Sequence, residues 1–175
     1  MQYLSILALG ADRPGLVAEL SELVARHECS IKVGRMIKLQ ADMAISMLVT
    51  GSWNGIAKIE AGLPLLEQKY ALNLITKRTD EQNSDHKSLP YMAQMMGLDQ
   101  PNVVHQITSF LTKQGIPIYD LNATTTKAQH TDANIFNLVI HLGIPSEVVI
   151  TELREQLMVL CDDLNIDGIL EPERR

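Results

Sequence analysis

The chain has little from which to build a covalent or metal-bound framework. Only two cysteines occur in 175 residues, Cys29 and Cys161, far apart and without metal-ligand spacing. Both are therefore expected to be buried or free thiols. The five histidines, His27, His86, His105, His130 and His141, form no HxxxH or HxH pair, so no metal site is expected. Aromatic residues are scarce at 4% while hydrophobic content reaches 46%; the core has to come from Leu, Ile, Val, Ala and Met. No apolar run approaches the roughly 18 residues that would mark a membrane span, and Met1-Gln2-Tyr3-Leu4 lacks the basic start of a signal peptide. A soluble cytoplasmic protein without a membrane partner is expected. No nucleophile paired with a base, glycine-rich phosphate loop or ligand cluster is evident either, so no catalytic residue and no cofactor is expected.

A basic face is missing too. The net charge is −6, with 15 Lys and Arg against 21 Asp and Glu. Residues 1–80 hold nine basic and eight acidic side chains, whereas residues 81–175 hold six and thirteen, so the second half carries −7. Neither half supplies the positive surface that neutralises phosphates, and no helix-turn-helix or aromatic-interleaved basic stretch appears. Direct DNA binding is disfavoured. The acidic excess reads as solvated surface or, alternatively, as a docking patch for a basic partner.

What the chain does have is one phrase written twice. Leu9-Gly10-Ala11-Asp12-Arg13-Pro14-Gly15-Leu16-Val17 recurs as Met96-Gly97-Leu98-Asp99-Gln100-Pro101-Asn102-Val103-Val104, shifted by 87 positions (97 minus 10). The register continues without a gap: Leu16, Leu20, Leu23 and Val24 face Val103, Ile107, Phe110 and Leu111, and Ile31 faces Ile118. A match this long marks a duplicated module. Between the copies, Thr79 to Ser88 contains no aliphatic or aromatic residue and reads as a solvent-exposed linker. The chain is thus expected to divide into a domain over 1–79, a linker over 80–88 and a domain over 89–175. Each half is near the size at which a core is marginal alone, so the halves are expected to pack on each other and whole chains to form a homodimer.

Each copy reads βαββαβ. In the first, Tyr3–Leu9 is a buried strand, and a helix follows from Pro14, capped by Asp12 or Arg13. Leu16, Val17, Leu20, Leu23 and Val24 form its apolar stripe. Ile31–Leu39 and Met43–Thr50 form a hairpin about Gln40-Ala41-Asp42. Asn54 caps a second helix to about Tyr70, interrupted or kinked at Gly62–Pro64, and Leu72–Thr76 closes the sheet. In the second copy, the strand Tyr91–Gly97, the helix Pro101–Gln114, the hairpin Ile116–Thr126 with Asn134–Leu142, a helix from a Ser146 cap to about Leu164 and the strand Asn165–Leu170 repeat the order. Two interleaved βαβ crossovers make a ferredoxin-like α+β fold: four antiparallel strands with two helices on one face. The fold alone does not assign a function.

The strand-to-helix turn carries the chemistry. A helix start offers unpaired N–H groups and the positive end of the dipole to a carboxylate. Gly15 lets a ligand approach the backbone, and the Asp12 carboxylate can accept from an ammonium. Together these complement a free amino acid; alternatively, Asp12 only caps the helix while Pro14 and Gly15 shape the turn. The candidate ligand site is therefore Asp12, Arg13, Pro14, Gly15, Leu16 and Val17. A second candidate site is Asp99, Gln100, Pro101, Asn102 and Val103, where Asn102 in place of the glycine favours a packing role. Trp53 reads as a hydrophobic plug rather than a contact, and Met92, Met95 and Met96 as core rather than an adaptable interface.

The strand, Asp-Arg-Pro-Gly-Leu-Val and the amphipathic helix in a βαββαβ order resemble the ACT domain, a regulatory module that characteristically binds amino acids. Ala8 to Gly15, Cys29-Ser30-Ile31, Leu48 to Asn54 and Lys77-Arg78-Thr79 resemble, in the same order, segments of the tandem-ACT glycine cleavage repressor family. That resemblance implies a repressor of glycine cleavage genes with glycine as effector, which contacts a transcriptional activator protein and has no DNA-binding domain of its own. An amino-acid-binding regulatory subunit of a metabolic enzyme is the alternative, since it needs the same site and a different partner.

Overall fold

A computed structural model describes residues 1–81, 88–128 and 131–173. The chain forms two compact units, Met1–Asn83 and Ser84–Arg175. The first runs β1 (Gln2–Ala11), α1 (Leu16–Arg26), β2 (Ser30–Leu39), β3 (Asp42–Gly51), α2 (Trp53–Tyr70) and β4 (Asn73–Thr79). Its strands pair antiparallel in the order β2-β3-β1-β4. Side chains alternate across a strand, so Leu4, Ile6 and Ala8 of β1 and Met43, Ile45, Met47 and Val49 of β3 share one buried face. Onto it pack Leu16, Leu20 and Val24 of α1 and Ile56, Ile59 and Leu63 of α2, whose three- and four-residue spacing keeps them on one side of each helix.

The second unit runs β5 (Ser88–Leu98), α3 (Val103–Lys113), β6 (Ile118–Lys127), β7 (Asn134–Pro145), α4 (Ile150–Asp163) and β8 (Ile166–Pro172), in the order β6-β7-β5-β8. Both units are ferredoxin-like βαββαβ folds. The repeat is structural to the residue: Val103, Ile107 and Leu111 are buried where Leu16, Leu20 and Val24 are. The bulge between Ile31 and Val33 returns between Ile118 and Asp120. Gly10 and Gly97 recur because the last strand of each unit begins against them. A Cβ would lie 2.8 Å from Leu72 Cδ2 at the first and 2.6 Å from Ile166 Cγ2 at the second, leaving no room for a side chain.

Several local expectations are corrected. Val17 is exposed at 37%, outside the buried stripe. The cap of α2 is Ser52, whose Oγ accepts from the Gly55 N–H at 3.0 Å, not Asn54. That helix runs unbroken through Gly62 and Pro64. Gly62 is the contact point between helices, since a Cβ there would meet Leu23 Cδ1 at 2.8 Å. Ser146 does not cap α4; Val149 precedes the helix, and the Ser146 hydroxyl donates to Glu147 instead. Of the three methionines, Met95 is in the core, whereas Met96 is on the open face of its sheet. Both cysteines are buried free thiols. β4 runs through Thr79 and β5 begins at Ser88, and Gln82 to Lys87 of the expected linker lie outside the described residues.

Candidate functional site

The turn between β1 and α1 is built by backbone geometry. The Asp12 N–H donates to the Ala41 carbonyl at 3.0 Å, tying the end of β1 to the β2–β3 hairpin. The chain then reverses at Gly15, the residue preceding the helix, which adopts φ 93° and ψ −17°. This left-handed conformation is one that glycine reaches without steric cost. The Gly15 carbonyl accepts the first helical bond from the Glu19 N–H at 2.9 Å, and the Leu16 N–H lies 3.5 Å from the Arg13 carbonyl. The cap is therefore Gly15 and not Asp12 or Arg13, and no side chain caps the helix. The N–H groups of Val17 and Ala18 are in the first turn, where an α-helix supplies no partner.

Asp12 is consequently free for other work. Its Oδ2 accepts from Lys38 Nζ at 2.8 Å, with the two side chains 36% and 71% exposed. Hydrogen bonding to Asp12 raises the Lys38 pKa, and the charge of the carboxylate adds to it. Arg13, Pro14 and Gly15 are exposed, whereas the Leu16 side chain is buried in the core. Of the six predicted residues, Leu16 can thus contribute only its backbone.

Beside this turn lies a cluster that sequence reasoning missed. Glu19 Oε1 accepts from Lys69 Nζ and from Tyr70 Oη, each at 2.6 Å. The Tyr70 hydroxyl also stands over the turn, 3.3 Å from where a Cβ on Gly15 would be. The bonds from Lys69 and then Tyr70 hold the Glu19 carboxyl below the usual carboxylate range. The same bonds raise the Lys69 ammonium and the Tyr70 phenol. Glu19 is one helical turn after Gly15, which was legible. That the end of α2 delivers Lys69 and Tyr70 to it was not.

The second turn copies the backbone and changes the chemistry. The Asp99 N–H donates to the Asn134 carbonyl at 2.9 Å, and Asn102 precedes α3 at φ 70°. Asparagine stands where the first repeat has glycine because both tolerate the left-handed region. Gln100, at the place of Arg13, donates through Nε2 to the Leu164 carbonyl. Val103 is buried, and Pro101 and Asn102 are exposed. The position 87 residues beyond Lys38 is Thr125, and Asp99 has no ion pair among the described residues.

Trp53 is not a plug. It follows the Ser52 cap at the first position of α2, is 65% exposed, and carries the Arg78 guanidinium 5.6 Å from its ring centroid. Arg78 in turn donates to both carboxylate oxygens of Glu60, at 3.0 and 2.6 Å. Among the described residues no group of His, Cys, Asp and Glu could hold a metal ion. No helix there is long and apolar enough to cross a membrane.

Comparison with known proteins places this geometry. Residues 2–77 match the ACT domain family model. Over 166 residues the chain is 30% identical to the glycine cleavage system transcriptional repressors of Escherichia coli K12 and Shigella flexneri, covering 95% of this chain and 87% of each relative. The chain belongs to this tandem ACT-domain repressor family. A crystal structure provisionally assigned to a glycine cleavage system transcriptional repressor is 28% identical, with TM-score 0.70 over 99% of this chain and 98% of its own. An unknown protein from Galdieria sulphuraria shares the fold, with TM-score 0.77 at 22% identity over 99% of both chains. Membership of a non-catalytic regulator family gives this ACT protein a regulatory role rather than an enzymatic one.

Proposed function

We propose that this ACT protein senses a small amino acid, glycine foremost, at the turn Asp12–Val17, and represses by holding a transcriptional activator rather than by binding DNA. The observation that carries the reading is the pairing of Asp12 with Lys38 beside the open first turn of α1. A carboxylate that already holds one ammonium at 2.8 Å is a receptor for another. The ligand ammonium replaces Lys38 on Asp12, and the ligand carboxylate accepts from the Val17 and Ala18 N–H groups at the positive helix end. The hydroxyl of Tyr70, held by Glu19, limits the space above Gly15, which favours a ligand with little or no side chain.

The second turn has a packing role in this reading, because Gln100 is tethered to the Leu164 carbonyl and Asp99 has no ion pair among the described residues. Repression through a protein partner is supported by the charge of −6, since no basic face is available for phosphates. A ligand alters that partnership only if it binds the free and partner-bound states with different affinity.

Titration calorimetry with glycine, serine and alanine at millimolar concentration tests the site. Binding is expected for glycine and is expected to weaken at least tenfold in Asp12→Asn. No heat with any of the three overturns the ligand assignment. Gel shifts on a target promoter test the mechanism: no shift with this chain alone, and a shift by the activator that this chain changes. A specific nanomolar shift by the isolated chain overturns it.

A further inference from the structure

Glu19, Lys69 and Tyr70 form a cluster that the fold itself does not require. The second unit keeps the backbone around it. Leu72 stands against Gly10 as Ile166 stands against Gly97, and the residue before each, Ala71 or Asn165, has a positive φ of 51° or 50°. On that register, shifted by 94 positions (166 minus 72), Lys69 and Tyr70 become Asp163 and Leu164. The position 87 residues beyond Glu19 is Gln106. All three members are exchanged, yet both units fold as βαββαβ. Tyr70 and Leu164 are buried alike, at 7% and 8% exposure, so packing explains a large side chain at this position but not a phenol.

The phenol is held on two sides. Its hydroxyl bonds Glu19 Oε1 at 2.6 Å, and the Lys69 ammonium lies 5.4 Å from the ring centroid. An ionised carboxylate only accepts, so the proton between the two oxygens belongs to Tyr70. The lowered Glu19 carboxyl and the raised Tyr70 phenol keep it there at neutral pH. A hydroxyl has one donor and two acceptor lone pairs. With its donor committed to Glu19, Tyr70 has only lone pairs left for the space over Gly15, where a Cβ would be 3.3 Å away. A carboxylate placed there is repelled, whereas an ammonium finds an acceptor.

We infer that the Tyr70 hydroxyl oxygen is a further acceptor for the ligand ammonium, beside Asp12, and that Glu19 is the positioning residue that fixes its proton away from the ligand. The pair thereby orients the ligand, leaving its carboxylate to the Val17 and Ala18 N–H groups, and places a hard oxygen where a ligand β-carbon would come. This inference rests on the amino-acid reading of the turn and adds a specificity determinant to it.

Titration calorimetry of the full chain with glycine and alanine tests it, on wild type, Tyr70→Phe, Glu19→Ala and the double variant. Tyr70→Phe keeps the buried ring and is expected to weaken glycine about fivefold, the worth of one hydrogen bond. Alanine should lose less, because the space vacated by the hydroxyl offsets the lost bond, so the alanine-to-glycine ratio of dissociation constants falls roughly threefold or more. Glu19→Ala releases the phenol proton and should also weaken glycine. Adding it to Tyr70→Phe should cost nothing further, since Glu19 acts through the phenol. A wild type that binds neither amino acid overturns this inference together with the ligand assignment. A wild type that binds glycine, with Tyr70→Phe binding it equally well or with losses that add in the double variant, overturns this inference alone. If Tyr70→Phe does not fold, Glu19→Ala on the outer side of the cluster decides: unchanged glycine affinity there overturns the inference as well.

Discussion

Replacing Gly15 separates the conformational role of the turn from its role toward a ligand. At φ 93° a side chain with a Cβ meets the penalty of the left-handed region, about 1–2 kcal/mol for an ordinary residue. In addition, its Cβ would be 3.3 Å from the Tyr70 hydroxyl, a close contact that the Glu19 bond keeps from yielding freely. Gly15→Ala is therefore expected to cost the first unit about 1–2 kcal/mol, equivalent to roughly 4–16 °C in melting temperature for a unit of this size. Gly15→Val should cost more, since a β-branched side chain tolerates positive φ least. Gly15→Asn should cost the least of the three, because the second repeat already uses Asn102 at φ 70° for the same purpose. The only tryptophan, Trp53, lies in the first unit, so urea denaturation followed by its fluorescence reports that unit alone. Equal stability of the alanine and wild-type chains, or an asparagine variant as damaged as the valine one, would refute the reasoning. If Gly15→Asn folds and still binds glycine, the glycine serves the backbone and not ligand access.

The Glu19 cluster predicts a pH dependence. The folded-state pKa of Glu19 lies below its ordinary 4.5, so its contribution is full above that value and is lost as pH falls through the folded-state pKa. Wild type and Glu19→Gln should thus differ in melting temperature near neutrality and converge in acid; a gap that widens on acidification contradicts the cluster. The thiols should be inert in the native state. Burial pushes Cys161 up to about 11 and raises Cys29 as well, and the thiolate is the reactive species. An aromatic disulfide reagent at neutral pH should label neither thiol until denaturant is added, and rapid stoichiometric labelling of the folded chain would contradict this.

The elements were legible in the sequence where periodicity decides them. Leu16, Leu20 and Val24 recur as Val103, Ile107 and Leu111, and this spacing gave both the helices and the sheets they cover. The caps were not legible. Asp12 two residues before Pro14 has the form of a cap followed by a first-turn proline, yet its carboxylate is drawn to Lys38 at the far end of β2, a contact set by strand register. Trp53 was misread for a related reason: its neighbour Arg78 arrives from β4 and keeps the ring at the surface. Lys69 and Tyr70 were invisible as site residues because only the end of α2 brings them to Glu19.

The comparison of the two turns shows what the repeated phrase encodes. Gly10 and Gly97 make room for the last strand, Gly15 and Asn102 both reverse the chain at positive φ, and the Asp12 and Asp99 N–H groups both tie down the hairpin. These shared positions specify backbone geometry, which both units need in order to fold. On the proposed reading, sensing chemistry resides where the copies diverge: Lys38 against Thr125, Arg13 against Gln100, which donates to the Leu164 carbonyl, and Glu19 against Gln106. The first repeat keeps charged groups exposed at its turn, and the second spends its polar side chain on its own backbone. On the proposed reading, the first turn is the one that takes a ligand, and the second keeps the backbone shape with its polar side chain tied to the Leu164 carbonyl.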